Sequence, residues 1–145
     1  MNQELTFELI TPDGPQFSGQ AYEVMIPTPL GQIAVLPNHR PLITIISPGV
    51  ISIRRHAEDS DEQLEDLASA GGVAEISGHR VRALTDSAEH AENINELKAK
   101  EALAKAQELR ATAADQVSLA DVTALIELNL ARLKVAELKR RRHVR

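Results

Sequence analysis

Histidines are the side chains of this sequence that come nearest to a catalytic or metal-binding pattern. His39 lies between Pro37 and Pro41, which would hold it in a rigid segment. No serine, aspartate or second histidine is placed around it so as to make a nucleophile–base pair. Metal-ligand spacing is also missing from the other four histidines, His56, His79, His90 and His143. We therefore expect His39 to make a structural or intermolecular contact, with no catalytic residue and no metal ligand in the chain.

A cluster of cations lies at the C-terminal end. Residues 1–90 hold 5 Lys/Arg and 13 Asp/Glu, whereas residues 91–145 hold 11 and 8. Such a segment suits an acidic protein surface, which is the interpretation that we favour. Two alternatives stay open: a solvated helix end, and a nucleic-acid-binding patch, which the acidic remainder and the scarcity of aromatic side chains oppose. The cations are Arg132, Lys134, Lys139, Arg140, Arg141, Arg142 and Arg145.

A proline-rich stretch from Pro27 to Gly49 positions His39. Five of the seven prolines fall in it, and they flank two short apolar runs, Ile33 to Leu36 and Leu42 to Ile46. Because proline lacks the N–H that helices and sheets need, it separates elements. The pattern predicts a strand, a rigid corner at residues 36–42, and a second strand. A rigid corner loses little conformational entropy on binding, so it suits a contact surface.

Short strands are predicted throughout the first half of the chain. Leu5, Phe7 and Leu9 alternate with polar residues, and turn sequences follow at Thr11–Pro15 and at Gly71-Gly72. An acidic polar segment, His56–Gln63, is predicted to form the tip of a hairpin. This pattern predicts an all-β sandwich or barrel over residues 1 to about 86.

Two helices are predicted after Asn93, where glycine and proline no longer occur. Asn93 and Glu96 fit a capping box, and Ser118 with Asp121 would begin the second helix. A short link between two amphipathic helices predicts an antiparallel hairpin. The first apolar stripe would be Ala99, Ala102, Leu103, Ala106, Leu109 and Ala113; the second, packing against it, would be Leu119, Val122, Ile126, Leu130 and Leu133.

Composition limits the class of protein further. The 145 residues suit one domain or a small domain with an appendage. The absence of cysteine rules out disulfides and thiolate metal sites, and it fits a reducing compartment. No apolar run approaches the roughly 20 residues of a membrane span, so we expect membrane association only through partners.

Several motifs together resemble the epsilon subunit of bacterial F-type ATP synthases. The most specific is the corner Leu36-Pro37-Asn38-His39-Arg40-Pro41-Leu42, combined with Gly71-Gly72-Val73-Ala74-Glu75. Ile26-Pro27-Thr28, Pro48-Gly49 and Leu84-Thr85-Asp86-Ser87-Ala88-Glu89 agree as well, and the similarity extends to the alanine-rich helices. The resemblance implies a β-sandwich at residues 1–87 and a regulatory helical hairpin at residues 88–145.

The resemblance also implies partners. The sandwich would bind the gamma subunit and the membrane c-ring, and the hairpin would lie folded or extend into the catalytic alpha/beta hexamer to inhibit ATP hydrolysis. The basic C-terminal residues would be the inhibitory element. The expected contact residues for gamma and the c-ring are Thr28, Pro29, Leu30, Gly31, Gln32, Pro37, His39, Pro41 and Leu42.

A nucleotide site is implied in some members of that family, in an Ile/Leu-Asp-x-x-Arg-Ala motif at the first helix. Here the window runs from Ile94 to Ala99, with Asn95 in place of Asp and Lys98 in place of Arg. Lysine presents a point charge where arginine presents a planar fork. We therefore expect weak ATP binding at most, and no cofactor.

Taken together, the resemblance implies that the protein is a non-catalytic rotor subunit, which couples the c-ring to the catalytic head for proton-driven ATP synthesis. The resemblance implies a peripheral position at the cytoplasmic face of the cell membrane. The main alternative is a small nucleic-acid-binding module that uses the basic C-terminal helix, and a second is an enzyme centred on His39.

Overall fold

The computed structural model describes residues 4–144, which form a two-sheet β-sandwich followed by two helices. Both features of the predicted fold class are thereby confirmed. The strands are β1 (Leu5–Thr11), β2 (Gly14–Ala21), β3 (Glu23–Thr28), β4 (Gly31–Val35), β5 (His39–Ile46), β6 (Gly49–Arg54), β7 (Glu65–Ser69), β8 (Gly72–Gly78), β9 (Arg80–Thr85) and β10 (Ala88–His90). The helices are α1 (Glu96–Thr112) and α2 (Gln116–His143).

Each sheet contains five strands. Sheet A has the order β2-β1-β9-β8-β5, and sheet B has the order β10-β7-β6-β3-β4. All neighbours are antiparallel except β1 and β9, which are parallel. Strand β10 lies just past residue 87, the boundary that the sequence suggested, and it pairs with β7 in sheet B.

The core between the sheets is mainly aliphatic. Leu5, Phe7 and Leu9 of β1 are fully buried, because alternate side chains of a strand point to the same face. Phe7 packs against Phe17 with ring centroids 5.3 Å apart. Side chains of both sheets meet in this cluster, including Ile26, Ile51, Leu67, Ile76 and Val81.

The proline corner is tighter than the sequence indicated. Strand β5 begins at His39, so Pro41 lies within the strand and not in a loop. The register of β5 with β8 shifts between His39 and Leu42, and such a bulge on an edge strand can accommodate a proline. The turn itself is made at Pro37-Asn38, where Asn38 has a φ of 67°.

The helices begin earlier or later than the capping patterns suggested. Asn95, and not Asn93, caps α1, since its side chain accepts a hydrogen bond from the backbone N–H of Lys98; residues 91–93 form a short 3-10 turn instead. Asp115, and not Ser118, caps α2 by accepting from the N–H of Ser118. Each true cap is an Asn or Asp three residues before the N–H that it satisfies.

The apolar stripe of α2 differs from the predicted one. Ile126 is buried as expected, but Leu119 and Leu130 are 40% and 50% exposed. The buried positions further along are Ala131, Val135 and Ala136, because this half of α2 also packs on sheet B, where Ala131 and Val135 meet Ala68. A helix with two partners buries two stripes, and small side chains allow it to approach a sheet closely.

Candidate interaction surfaces

The β3–β4 hairpin places five of the predicted contact residues at one tip. Thr28 pairs with Gly31 across the turn, and the hydroxyl of Thr28 donates a hydrogen bond to the Gly31 carbonyl at 2.5 Å. Gly31 has a φ of 118°, which a residue with a Cβ rarely adopts. This turn leaves Pro29 and Gln32 exposed and Leu30 fully exposed. A fully exposed leucine on a rigid tip is suited to insertion into a partner.

The remaining predicted contact residues lie at a different place. Ser47, just after β5, donates its N–H to the carbonyl of Pro27, which adjoins the turn, so the last residue of β5 lies beside the tip of that hairpin. Strand β5 has eight residues, which extend about 26 Å. The corner with Pro37, His39 and Pro41 is therefore at the far end of β5, and the nine residues make two separate surfaces.

His39 makes a structural contact. Its ring nitrogen Nδ1 lies 2.7 Å from the carbonyl oxygen of Arg40, and the side chain is half-buried. Across residues 4–144, His, Cys, Asp and Glu side chains form no cluster of three that could hold a metal ion. The contact with the Arg40 carbonyl orients the ring of His39.

The outer face of sheet A carries an apolar row that the sequence reasoning missed. Ile45, Val73 and Leu84 are register partners on β5, β8 and β9, and Ile43 is 73% exposed on the same edge strand. The signal was present in Leu42–Ile46, since four apolar residues in five indicate a strand covered on both faces. Within residues 4–144 these apolar side chains remain exposed, as is typical of surfaces that bind other proteins.

Acidic and basic side chains border this row. Glu8 receives hydrogen bonds from Arg80 and Arg82, at 3.0 and 3.2 Å. The hydrogen bond from Arg80, and next the one from Arg82, hold the pKa of Glu8 below its usual range. Hence the outer face of sheet A combines an apolar edge with a fixed charge network.

The basic residues of α2 do not form one open patch. Within the described residues, Arg132, Arg140 and Arg142 pair with Glu89, Glu96 and Asp66 of other elements. Arg141 pairs with Glu137 of its own helix. Lys134 is exposed and Lys139 half-buried, while Arg145 lies outside the described residues. Much of the positive charge is thus already matched by this chain's own acids.

The window of the implied nucleotide motif has structural roles. Asn95 caps α1, accepting from the Lys98 N–H at 3.0 Å, and Ala99 is buried. Ile94 packs beside Ala68 and Val50 at the junction of sheet B with α2. Asn95 and Lys98 are the exposed residues among the four. No carboxylate stands at the position of the motif's aspartate, which Asn95 occupies, and the carboxylate of Glu96 pairs with Lys100 and Arg140.

In the part of the chain that the structure describes, no helix combines the length and the apolar character needed to cross a membrane.

Comparison with known proteins now places the chain. Residues 4–91 match the model of the ATP synthase delta/epsilon chain β-sandwich domain. The ATP synthase epsilon chain of Bordetella avium is 35% identical over 138 residues, which are 95% of this chain and 92% of that one. That of Herminiimonas arsenicoxydans is 32% identical over 145 residues, the full length of both chains.

A solved structure agrees in fold. A chain of the Euglena gracilis mitochondrial ATP synthase, in an assembly of OSCP, F1 and c-ring, superposes with a TM-score of 0.76 at 19% identity, covering 94% of this chain and 83% of that chain. The β-sandwich, the two helices and the sequence identity to full-length relatives all indicate the same family. The chain therefore belongs to the ATP synthase epsilon chain family, a family of non-catalytic subunits.

Proposed function

We propose that this protein is the central-stalk rotor subunit that couples the membrane c-ring to the catalytic head of an F-type ATP synthase during proton-driven synthesis. Its C-terminal helices restrain ATP hydrolysis. The observation that carries the proposal is the similarity to epsilon chains over the full length, including both helices. The protein acts at the cytoplasmic face of the cell membrane, peripherally and through its complex, and needs no cofactor.

The hairpin tip is the proposed c-ring contact. Leu30 is exposed at its apex and the turn beneath it is fixed by Gly31 and by the Thr28 hydroxyl. A pre-formed tip loses little entropy on docking, so even a small contact area can transmit torque. The polar loops of a c-ring would meet Gln32 beside the leucine.

The gamma subunit is the proposed cover of the sheet A edge. Leu42, Ile43 and Ile45 lie on β5, whose outer edge has no neighbouring strand within sheet A. Exposed apolar side chains on an edge strand invite association, and a permanent partner removes that hazard. The corner at Pro37 and His39 continues this surface at one end of β5.

Inhibition of hydrolysis is assigned to the basic residues of α2. When the helices leave the sandwich, Arg132 and Arg142 lose their partners Glu89 and Asp66. An acidic surface of the alpha/beta hexamer then supplies new ones. The nucleic-acid alternative gains no support, because the same arginines are matched internally and the aromatic side chains are few.

Affinity purification tests this assignment. A tagged copy of the chain, expressed in its own cells and recovered from detergent-solubilised membranes, is expected to bring down gamma and the c-ring. Leu30→Asp should lose the c-ring but keep gamma, and Ile43→Asp with Ile45→Asp should lose gamma. Glu58→Gln, in an exposed loop, is the matched control. Recovery of the wild-type chain without ATP synthase subunits would overturn the proposal.

A further inference from the structure

The contact between α2 and the sandwich is small in apolar terms. Ala131 and Val135 of the helix meet Ala68 of β7, with Val50, Ala91 and Ile94 packed around them. Hydrophobic stabilisation follows the apolar area removed from water, and alanine offers little. Polar contacts must therefore contribute much of what keeps α2 in this position.

Two ion pairs border that contact. Arg142 Nη1 lies 2.6 Å from Asp66 Oδ2 and donates a hydrogen bond to the Leu64 carbonyl at 2.6 Å. The two side chains are 19% and 2% exposed, so water hardly screens the pair. The Ser52 hydroxyl holds the other Asp66 oxygen at 2.6 Å. The acid is thus fixed in place before the arginine arrives.

The second ion pair, Arg132 with Glu89, lies ten residues earlier in α2. Arg132 Nε is 2.5 Å from Glu89 Oε2, and Arg132 Nη1 donates to Asn129 Oδ1 at 3.2 Å. Asn129 is itself buried and donates to the Leu125 carbonyl. Arg132 and Arg142 are ten positions apart in α2, so together the pairs fix both the position and the rotation of the helix.

We propose that Asp66 and Glu89 form an electrostatic latch that holds α2 on the sandwich and sets how readily the helix is released. The link to inhibition rests on the proposed function. An ion pair of such low exposure is little screened by water, so loss of the Asp66 charge should raise the ratio of released to docked helix about tenfold. Loss of the Glu89 charge should act in the same direction and less, because this pair is more exposed.

The latch has two sides with different consequences. Asp66→Asn breaks it and leaves every cation of α2 available to the catalytic head. Arg142→Gln breaks it and removes an inhibitory cation as well. Hence Asp66→Asn is expected to strengthen inhibition of hydrolysis, whereas Arg142→Gln should strengthen it less or weaken it.

The isolated full chain tests the latch itself. The sequence has no cysteine, so Ala34→Cys on the outer face of β4 and Glu127→Cys on α2 accept spin labels without background. We expect one short inter-label distance in the wild type, and a longer, broad component that grows with Asp66→Asn, with Glu89→Gln and with added KCl. Glu137→Gln, which also removes a negative charge but from the Arg141–Glu137 pair within α2, is the matched control and should change nothing.

The outcomes separate the latch from the proposed function. A distance distribution that stays the same in Asp66→Asn and in Glu89→Gln, with the sandwich still folded by circular dichroism, overturns the latch and leaves the rotor assignment standing. Distances that change while hydrolysis by the assembled complex does not would keep the latch and overturn the inhibitory role. Longer distances together with slower hydrolysis in Asp66→Asn support both.

Discussion

Asn95 accepts a hydrogen bond from the backbone N–H of Lys98 at 3.0 Å, and through it caps α1. Aspartate caps helices as well as asparagine does, so Asn95→Asp should leave the helix intact. With Lys98→Arg, that change restores the carboxylate and the planar donor of the family's nucleotide motif. We expect little heat when the wild-type chain is titrated calorimetrically with micromolar ATP, and tighter binding by the double variant. Tight binding by the wild type would contradict this prediction.

The sandwich is expected to fold without the helices, provided that β10 is kept. His90 contacts the carbonyl of Gln16 at 2.7 Å and β10 pairs with β7, so residues 88–90 join the two sheets. A chain ending at Ala91 should therefore melt cooperatively, at a higher Tm than one ending at Ser87, by about 4–8 °C for each kcal/mol of lost contact. Thermal melts followed by circular dichroism measure the difference. An unfolded 1–91 chain would refute independence of the sandwich.

The turn at Asn38 gives a prediction about backbone strain. Asn38 has a φ of 67°, and its N–H donates to the Gly78 carbonyl at 3.0 Å. Asn38→Val should destabilise the fold by about 1–2 kcal/mol, because a β-branched residue is strained at positive φ. Asn38→Gly should stay within about 0.5 kcal/mol of the wild type, since relief of strain offsets the added freedom of the unfolded chain. Urea unfolding distinguishes the two, and equal midpoints for all three proteins would be inconsistent with the turn geometry.

Glu8 gives a prediction about pH. Its pKa is held low in the folded protein by Arg80 and Arg82, so its contribution to stability is present above the unfolded pKa of about 4.3 and is lost as pH falls through the folded pKa. Glu8→Gln should lower stability at pH 7, and the gap to the wild type should close in acid. Glu75→Gln is the matched control, because Glu75 lies in β8 as the register partner of Arg82. Urea midpoints at both pH values give the comparison, and a gap that persists or widens in acid would contradict it.

Removal of the basic end of α2 should raise ATP hydrolysis by the assembled complex. Deletion of residues 139–145 removes several cations, each worth about 0.2–1 kcal/mol at an exposed surface, and the expected gain is about two- to tenfold. The loss of Arg142 also weakens the latch, but the freed helix then has fewer contacts to make. Steady-state hydrolysis at several ionic strengths provides the measurement, and added salt should mimic the deletion in the intact complex. Equal rates with and without the tail would leave the cations as a solvated helix end.

Local patterns predicted the sandwich because they are repeated in nearly every strand. Leu5, Phe7 and Leu9 alternate, and glycines or prolines mark the turns, so the two-sheet fold followed. The caps were misplaced, because Asn93 and Asn95 are chemically equivalent and only the chain path decides which one meets a free N–H. The stripe of α2 was wrong at Leu119 and at Leu130, and it missed Ala131, Val135 and Ala136, because the helical period does not reveal a second packing partner.

Pairs distant in sequence could not be predicted at all. Arg142 and Asp66 are 76 positions apart, and no local signal links them. The same holds for the row made by Ile45, Val73 and Leu84, which exists only through strand register. The sequence shows the chemical type of each residue, but it does not show which residues lie next to each other in the folded protein.

The parallel pairing of β1 with β9 has a consequence for synthesis on the ribosome. Strand β1 is held between β2 and a strand that ends at Thr85, so sheet A cannot close until that residue has emerged. Until then Leu5, Phe7 and Leu9 have no complete core to pack into. The helices follow the sandwich along the chain. While they leave the ribosome, the finished sandwich already presents Asp66 to the emerging α2.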